Sequence, residues 1–75
     1  MTDRQEELRL ILEKYIGGVY KQALESTGRQ DAARDVTRRV MALLRRTHET
    51  GLSVTDDMVK RLTEDCCEEM AYYQE

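Results

Sequence analysis

The apolar residues between positions 8 and 24 recur every three or four residues, which is the spacing of one face of an α-helix. This pattern predicts a long first helix over residues 4–26, which ends before Gly28 because glycine can adopt the left-handed conformation of a helix cap. Its core face comprises Leu8, Ile11, Leu12, Tyr15, Val19 and Ala23, and Ile16 lies at one edge of this face. The spacing passes through Gly17 and Gly18 without a change of phase. One continuous helix is therefore favoured over a kink, although two interior glycines cost roughly 2 kcal/mol relative to alanine.

A second apolar stripe lies on the other side of the same predicted helix. Leu10, Gly17 and Leu24 are spaced by seven residues and therefore line up, with Tyr20 on the flank between the two stripes. So small a chain has no evident second layer that would cover both stripes. These four residues are therefore predicted to form an interface with a second copy or with another protein, and Gly17 would let a second helix approach closely.

Two further helices follow along the chain. Helix two is predicted over residues 32–50, with Asp31 as its N-cap and Gly51 just beyond its end. Its core face comprises Ala33, Val36, Val40, Leu43, Leu44 and Thr47. Helix three is predicted over residues 56–73 with Thr55 as its cap. Its core face comprises Met58, Val59, Leu62, Cys66, Met70 and Tyr73. Glu69 falls on that face too, which predicts either an ion pair with an arginine of helix two or fraying of the last turn.

Length and composition then define the fold class. The 75 residues form one domain, residues 1–75, with no proline, tryptophan or phenylalanine and many good helix formers. The sequence predicts an all-α helical hairpin or three-helix bundle with a long first helix. A core this small is marginal, and the chain has neither a disulfide framework nor zinc-finger spacing to reinforce it. We therefore expect homodimerisation to complete the fold.

Few side chains have a spacing that indicates catalysis or metal binding. Cys66 lies on the core face, whereas Cys67 is expected outside it among carboxylates, which raise a thiol pKa and suppress its reactivity. His48 is the only histidine, and the sequence spacing gives it no catalytic partner. We therefore expect no catalytic residue, no metal and no cofactor, and we do not expect an enzyme.

Charge is distributed unequally between the helices. Residues 29–50 carry a net charge of +3, whereas residues 51–75 carry −5. Arg34, Arg38 and Arg45 lie beside Met41 on the solvent face of helix two, which is an alternative site for an acidic protein or for nucleic acid. An ordinary solvated face is the simpler interpretation, because the chain has an acidic pI of about 5.2 and no aromatic residue interleaves the arginines. Helix three is too acidic outside to serve as a DNA recognition helix.

Taken together, these patterns favour a small non-enzymatic helical protein that binds another protein as an adaptor, regulator or inhibitor. The alternative is a nucleic-acid-associated regulator that uses the arginine face of helix two. The chain shows no apolar run long enough to span a membrane and no basic-then-apolar leader. Free thiols are typical of a reducing compartment. We therefore expect a cytoplasmic location, with a second copy and an unidentified protein as partners and no membrane.

Overall fold

A computed structural model describes the backbone of residues 3–73 and the side chains of residues 3–70. Three helices make up this part of the chain: α1 spans Asp3–Thr27, α2 spans Gln30–Glu49 and α3 spans Asp56–Tyr73. Every helix packs against the other two. The predicted all-α class, the number of helices and the length of the first helix are confirmed. The predicted core position of Tyr73 lies outside the side chains that the structure describes.

Helix α1 is continuous through its glycine pair, as the unbroken apolar spacing predicted. Its 25 residues include Gly17 and Gly18 near the middle, and at ~1.5 Å per residue they extend over roughly 37 Å. Among the residues that the structure describes, a Cβ atom added at either glycine would meet no atom within 4 Å outside its own helix turn. Within one chain, therefore, no close helix contact requires a glycine at either position.

The two ends predicted from glycine are confirmed. Gly28 follows α1 with a φ of +69°, and its N–H donates to the carbonyl of Leu24 at 2.8 Å. Gly51 follows α2 with a φ of +84°, and its N–H donates to the carbonyl of His48 at 3.0 Å. Both residues therefore occupy the left-handed conformation that ends a helix and satisfies one of its last carbonyls. Only Gly28 and Arg29 separate α1 from α2, so these helices form an antiparallel hairpin.

The predicted N-cap of α2 is wrong, whereas that of α3 is confirmed. Helix α2 begins at Gln30, its N-cap is Arg29, and Asp31 lies within the first turn. Asp31 instead accepts a hydrogen bond from the Ala32 backbone N–H and pairs with the Arg29 guanidinium at 2.7 Å, and these two contacts lower its pKa. At α3, the Oγ1 of Thr55 accepts a hydrogen bond from the backbone N–H of Met58 at 3.2 Å.

The core lies between the three helices and contains mostly small side chains. Its buried residues are Val19, Ala23, Ala32, Ala33, Val36, Thr37, Val40, Leu44, Val59, Thr63, Cys66 and Cys67. Most are residues that the apolar spacing predicted, but Ala32, Cys67 and the two threonines were not. Their hydroxyls donate to the carbonyl four residues earlier, at 2.7 Å in both cases. A hydrogen-bonded hydroxyl can be buried without an unsatisfied group, so these threonines behave as core residues.

The prediction that Cys67 is accessible is wrong. Cys66 and Cys67 are exposed over only 6% and 8% of their surface. Adjacent helical residues point about 100° apart, and α3 contacts two helices at once. Cys66 therefore faces Arg39 and Leu43 of α2, whereas Cys67 lies close enough to Ser26 of α1 for a hydrogen bond.

Helix α3 is also joined to α1 through a polar contact. The hydroxyl of Tyr15 donates to the carboxylate of Asp56, in the first turn of α3, at 2.5 Å. This hydrogen bond is the main reason that the pKa of Tyr15 is raised, since the carboxylate favours the protonated phenol. None of the three described helices is both long enough and apolar enough to cross a membrane.

Candidate functional site

A groove runs between α1 and α2 along a part of the surface that α3 does not line. We call it the α1/α2 groove, and its volume is about 610 Å³. It is lined by Ile16, Gly17 and Tyr20 from α1 and by Arg34, Thr37, Arg38 and Met41 from α2. The surface inside it is mostly apolar, while two guanidinium groups lie on the α2 side. Apolar clefts with a few polar groups are the common form of binding sites.

Helix periodicity places these residues together. Ile16 and Tyr20 are one turn apart on α1, as are Arg34 and Arg38 on α2. The short hairpin connection brings the two rows side by side. Gly17 is exposed and has no side chain, so the α1 wall is open at that point. The groove is thus the space between one row of side chains on α1 and one row on α2.

The apolar part of the groove is accessible to a partner. Ile16 is exposed over 48% of its surface, which is unusual for a large aliphatic side chain. Tyr20 and Met41 are half-buried, and both pack against the core from one side. A molecule placed in the groove would therefore contact apolar side chains that are already held in position by the bundle.

The two arginines of the groove are not neutralised within the described part of the chain. The ion pairs among the described side chains join Arg9 to Glu13, Arg29 to Asp31 and Arg39 to Glu69. Arg34 and Arg38 belong to none of these pairs, and both are exposed. The α2 wall of the groove therefore presents two positive charges to solvent.

The structure brings together members of two separate predicted sets. Gly17 and Tyr20 were predicted as a dimer or partner interface, and they lie in one groove with the predicted arginine face of Arg34, Arg38 and Met41. The sequence reasoning did not include Ile16, which had been placed at the edge of the core, or Thr37. The sequence feature that could have identified Ile16 as a groove residue is its position one turn before Tyr20, on the flank of α1 that α2 leaves uncovered.

Three other predicted residues lie outside the groove. Leu10 is exposed over 56% of its surface but does not line the groove. Leu24, which was predicted on the outer stripe, is half-buried, packs against the core and does not line the groove. Arg45 lies further along the hairpin, beside Leu12 and Glu49.

A second groove of about 630 Å³ runs between α2 and α3 and differs in charge. Arg39 and Arg46 lie on its α2 side, whereas Asp65 and Glu69 lie on its α3 side. Of the two alternatives predicted for Glu69, the ion pair with an arginine of helix two is confirmed, since Arg39 lies 3.6 Å away. The predicted position of Glu69 on the core face is wrong, because its side chain is exposed. Because the two walls carry opposite charges, this groove has no net preference for a charged partner.

The other side chains that could react or bind a metal are one histidine and two cysteines. The Nε2 atom of His48 is buried and has no hydrogen-bond partner among the described residues. Burial, together with the charge of Glu69, raises the pKa of Cys66. Burial also raises the pKa of Cys67, although a hydrogen bond with Ser26 partly offsets this rise. The residues that the structure describes contain no cluster of three or more His, Cys, Asp or Glu side chains that would hold a metal ion.

Comparison with known proteins leaves the α1/α2 groove as the main guide to function. No protein-family model, no curated protein and no solved structure matches this chain.

Proposed function

We propose that this chain is a small non-enzymatic protein that binds another protein in its α1/α2 groove and acts as an adaptor, regulator or inhibitor. The observation that carries the proposal is the groove itself, with an accessible apolar lining of Ile16, Tyr20 and Met41. Burying apolar surface is the dominant favourable term in most protein associations. A partner of matching shape would remove this surface from water.

The glycine in the groove adds a second argument. A glycine in a helix interior lowers stability by roughly 1 kcal/mol relative to alanine. Among the described residues, no atom from elsewhere in the chain lies within 4 Å of the position where a Cβ of Gly17 would lie, and the same holds for Gly18. Packing inside the described bundle therefore explains neither glycine, but Gly17 alone lines the groove, where its missing side chain would give access to a partner.

Capture by matched variants tests this proposal. Tagged wild type, Gly17→Leu and Gly18→Leu are used to capture proteins from extracts of the source organism. The captured partner is then purified and titrated by calorimetry. We expect wild type and Gly18→Leu to bind alike and Gly17→Leu to bind at least tenfold more weakly, because leucine would fill the gap in the groove.

Gly18→Leu is a close control, since both glycines are exposed, lie in the same helix and have free space around them. Only Gly17 lines the groove. A partner that binds all three proteins equally, or the absence of any partner retained by wild type over an untagged control, would contradict the proposal.

Homodimerisation is the second candidate for the same surface of α1. It is supported by Leu10, which belongs to the predicted outer stripe of α1 and is exposed over 56% of its surface. Small domains frequently gain stability by association. Sedimentation equilibrium of wild type and Leu10→Glu measures it: a dimer that the variant dissociates supports this candidate, and a monomeric wild type removes it.

Nucleic-acid binding is the third candidate and rests on Arg34, Arg38 and Arg45. Neutralising phosphates makes such binding fall steeply with salt, whereas an apolar interface is much less affected. Three results together would favour this function over protein binding. Wild type would retain nucleic acid at low salt, it would release it at moderate salt, and the double variant Arg34→Glu with Arg38→Glu would not retain it.

A cytoplasmic location is part of the proposal. Cys66 and Cys67 are both free thiols, and free thiols persist in a reducing compartment. Fractionation of cells that express the tagged protein, followed by immunoblotting, tests the location directly.

A further inference from the structure

We infer that the occupant of the α1/α2 groove is an amphipathic helix of a different protein, with acidic residues along one flank of its apolar stripe. This inference rests on the proposed function and adds the chemistry of the partner. It follows from the shape of the groove, the position of its charges and the symmetry of the alternative dimer.

The shape of the groove favours a helix as the occupant. The groove is open and lies between two antiparallel helices, so a third helix can lie along it and complete the packing. Its apolar contacts come from Ile16 and Tyr20 on one wall and Met41 on the other. Apolar residues at positions i, i+3 or i+4, and i+7 of a bound helix would meet these side chains, with the backbone closest at Gly17.

The charge of the groove favours acidic residues on that helix. Arg34 and Arg38 are four residues apart, which places their Cβ atoms ~6 Å apart on one side of α2. Carboxylates on successive turns of a bound helix have the same spacing. The lining residues of the α1 wall are all uncharged. The acidic residues are therefore expected on only one flank of the partner helix, the flank that faces α2.

Symmetry disfavours a second copy as the occupant. In a two-fold interface the same patch is present on both subunits. Two copies joined through this groove would bring both pairs of arginines, Arg34 and Arg38, into one interface. Like charges placed together reduce affinity, whereas an acidic helix meets both arginines with opposite charge.

Selection from a peptide library tests the inference with full-length protein. The probe is a phage-displayed library of helical peptides of about 20 residues. It has leucine at the groove-facing positions and either glutamate or lysine at each flanking position. We expect glutamate to be enriched on one flank with wild-type protein. The double variant Arg34→Glu with Arg38→Glu is expected to select lysine instead.

Binding of one enriched acidic peptide is then measured by fluorescence anisotropy. We expect affinity to fall about tenfold in the arginine double variant, because reversal replaces two weak attractions by two weak repulsions. Gly17→Leu is also expected to weaken binding. Lys60→Glu with Arg61→Glu, on α3, makes the same change in net charge away from the groove and should leave affinity unchanged. Circular dichroism verifies that each variant is folded.

The other outcomes separate this inference from the proposed function. Peptides that bind with no preference for glutamate, yet are weakened by Gly17→Leu, would overturn the acidic partner and leave the groove as a protein-binding site. A wild-type dimer that Gly17→Leu dissociates would make a second copy the occupant and also overturn the inference. A library with no enrichment over protein-free controls would overturn the helical partner, while the capture experiment judges the groove independently.

Discussion

Cys66 and Cys67 are consecutive residues that are buried against two different helices. Both side chains are less than one tenth exposed, and burial raises the pKa of both thiols. Because the thiolate is the reactive form, a raised pKa lowers the reactive fraction at any given pH. At the residue scale, we therefore expect both cysteines to react slowly with thiol reagents, rather than one slowly and one quickly.

The rate of thiol labelling tests this prediction. In native protein at neutral pH, both cysteines should react with a disulfide reagent more slowly than in denaturant, and both rates should rise with pH as the thiolate fraction rises. The variants Cys66→Ser and Cys67→Ser report on the remaining cysteine in each case. Rapid labelling of native Cys66→Ser would show that Cys67 is accessible and that α3 does not pack against α1 as described.

The errors of sequence reasoning at this scale have a common cause. A helical projection identifies one apolar face, but α3 and α2 each contact two helices, so each buries a wider arc. Cys67, Thr37 and Thr63 lie in the additional arc. The threonines also looked polar in the sequence, and only the structure shows that each hydroxyl is paired with a carbonyl of its own helix.

At the scale of helices and turns, the four glycines are of two kinds. Gly28 and Gly51 have positive φ and end helices, whereas Gly17 and Gly18 lie inside α1 with free space around each missing side chain. The first kind is required by the backbone. Within the folded chain the second kind weakens the helix, since glycine loses more conformational freedom on folding than alanine does.

Alanine substitution distinguishes the two kinds of glycine. Gly17→Ala and Gly18→Ala should each raise the free energy of unfolding by roughly 0.5–1 kcal/mol. Gly28→Ala and Gly51→Ala should each lower it by about 1–2 kcal/mol, because an L residue is strained in the left-handed region. Urea denaturation followed by circular dichroism measures all four variants. A loss of stability in Gly17→Ala would mean that the α1 wall is more crowded than the structure shows.

Part of the groove could be predicted from the elements alone, and part could not. Helical spacing placed Gly17 with Tyr20 on one helix and Arg34 with Arg38 on another. It could not show that these rows adjoin, because this depends on how α1 and α2 are rotated about their axes when they pack. Leu24 illustrates the same limit: the projection of an isolated helix placed it on the outer stripe, but in the hairpin it is half-buried and packs against the core.

The stability of the whole molecule depends on a small core. Leu44 is the largest of the fully buried side chains. Leu44→Ala should cost about 2–5 kcal/mol through lost burial and a cavity. A thermal melt should show the midpoint falling by roughly 10 °C or more. Leu52→Ala is the control, since Leu52 is 63% exposed and should change the midpoint little. Equal effects of the two substitutions would contradict the described core.

The overall architecture was more predictable than the site. Three apolar patterns of period 3.6, separated by residues that end or cap helices, were enough for the number, order and approximate bounds of the helices. The caps at Gly28, Gly51 and Thr55 depend on local backbone geometry and were predicted correctly. The start of α2 was not, because the Asp31 carboxylate lies inside the first turn and pairs with the Arg29 guanidinium, and this pairing is visible only in the structure.

The two-residue connection between α1 and α2 also has a kinetic consequence. A loop this short closes quickly, so the hairpin can form by contacts between segments that are close in the chain. The sequence contains no proline, and refolding therefore has no slow phase from prolyl isomerisation. Helical domains with such local contacts fold in roughly microseconds to milliseconds. The core-facing apolar residues of this chain are thus exposed only briefly during folding, which leaves little time for aggregation.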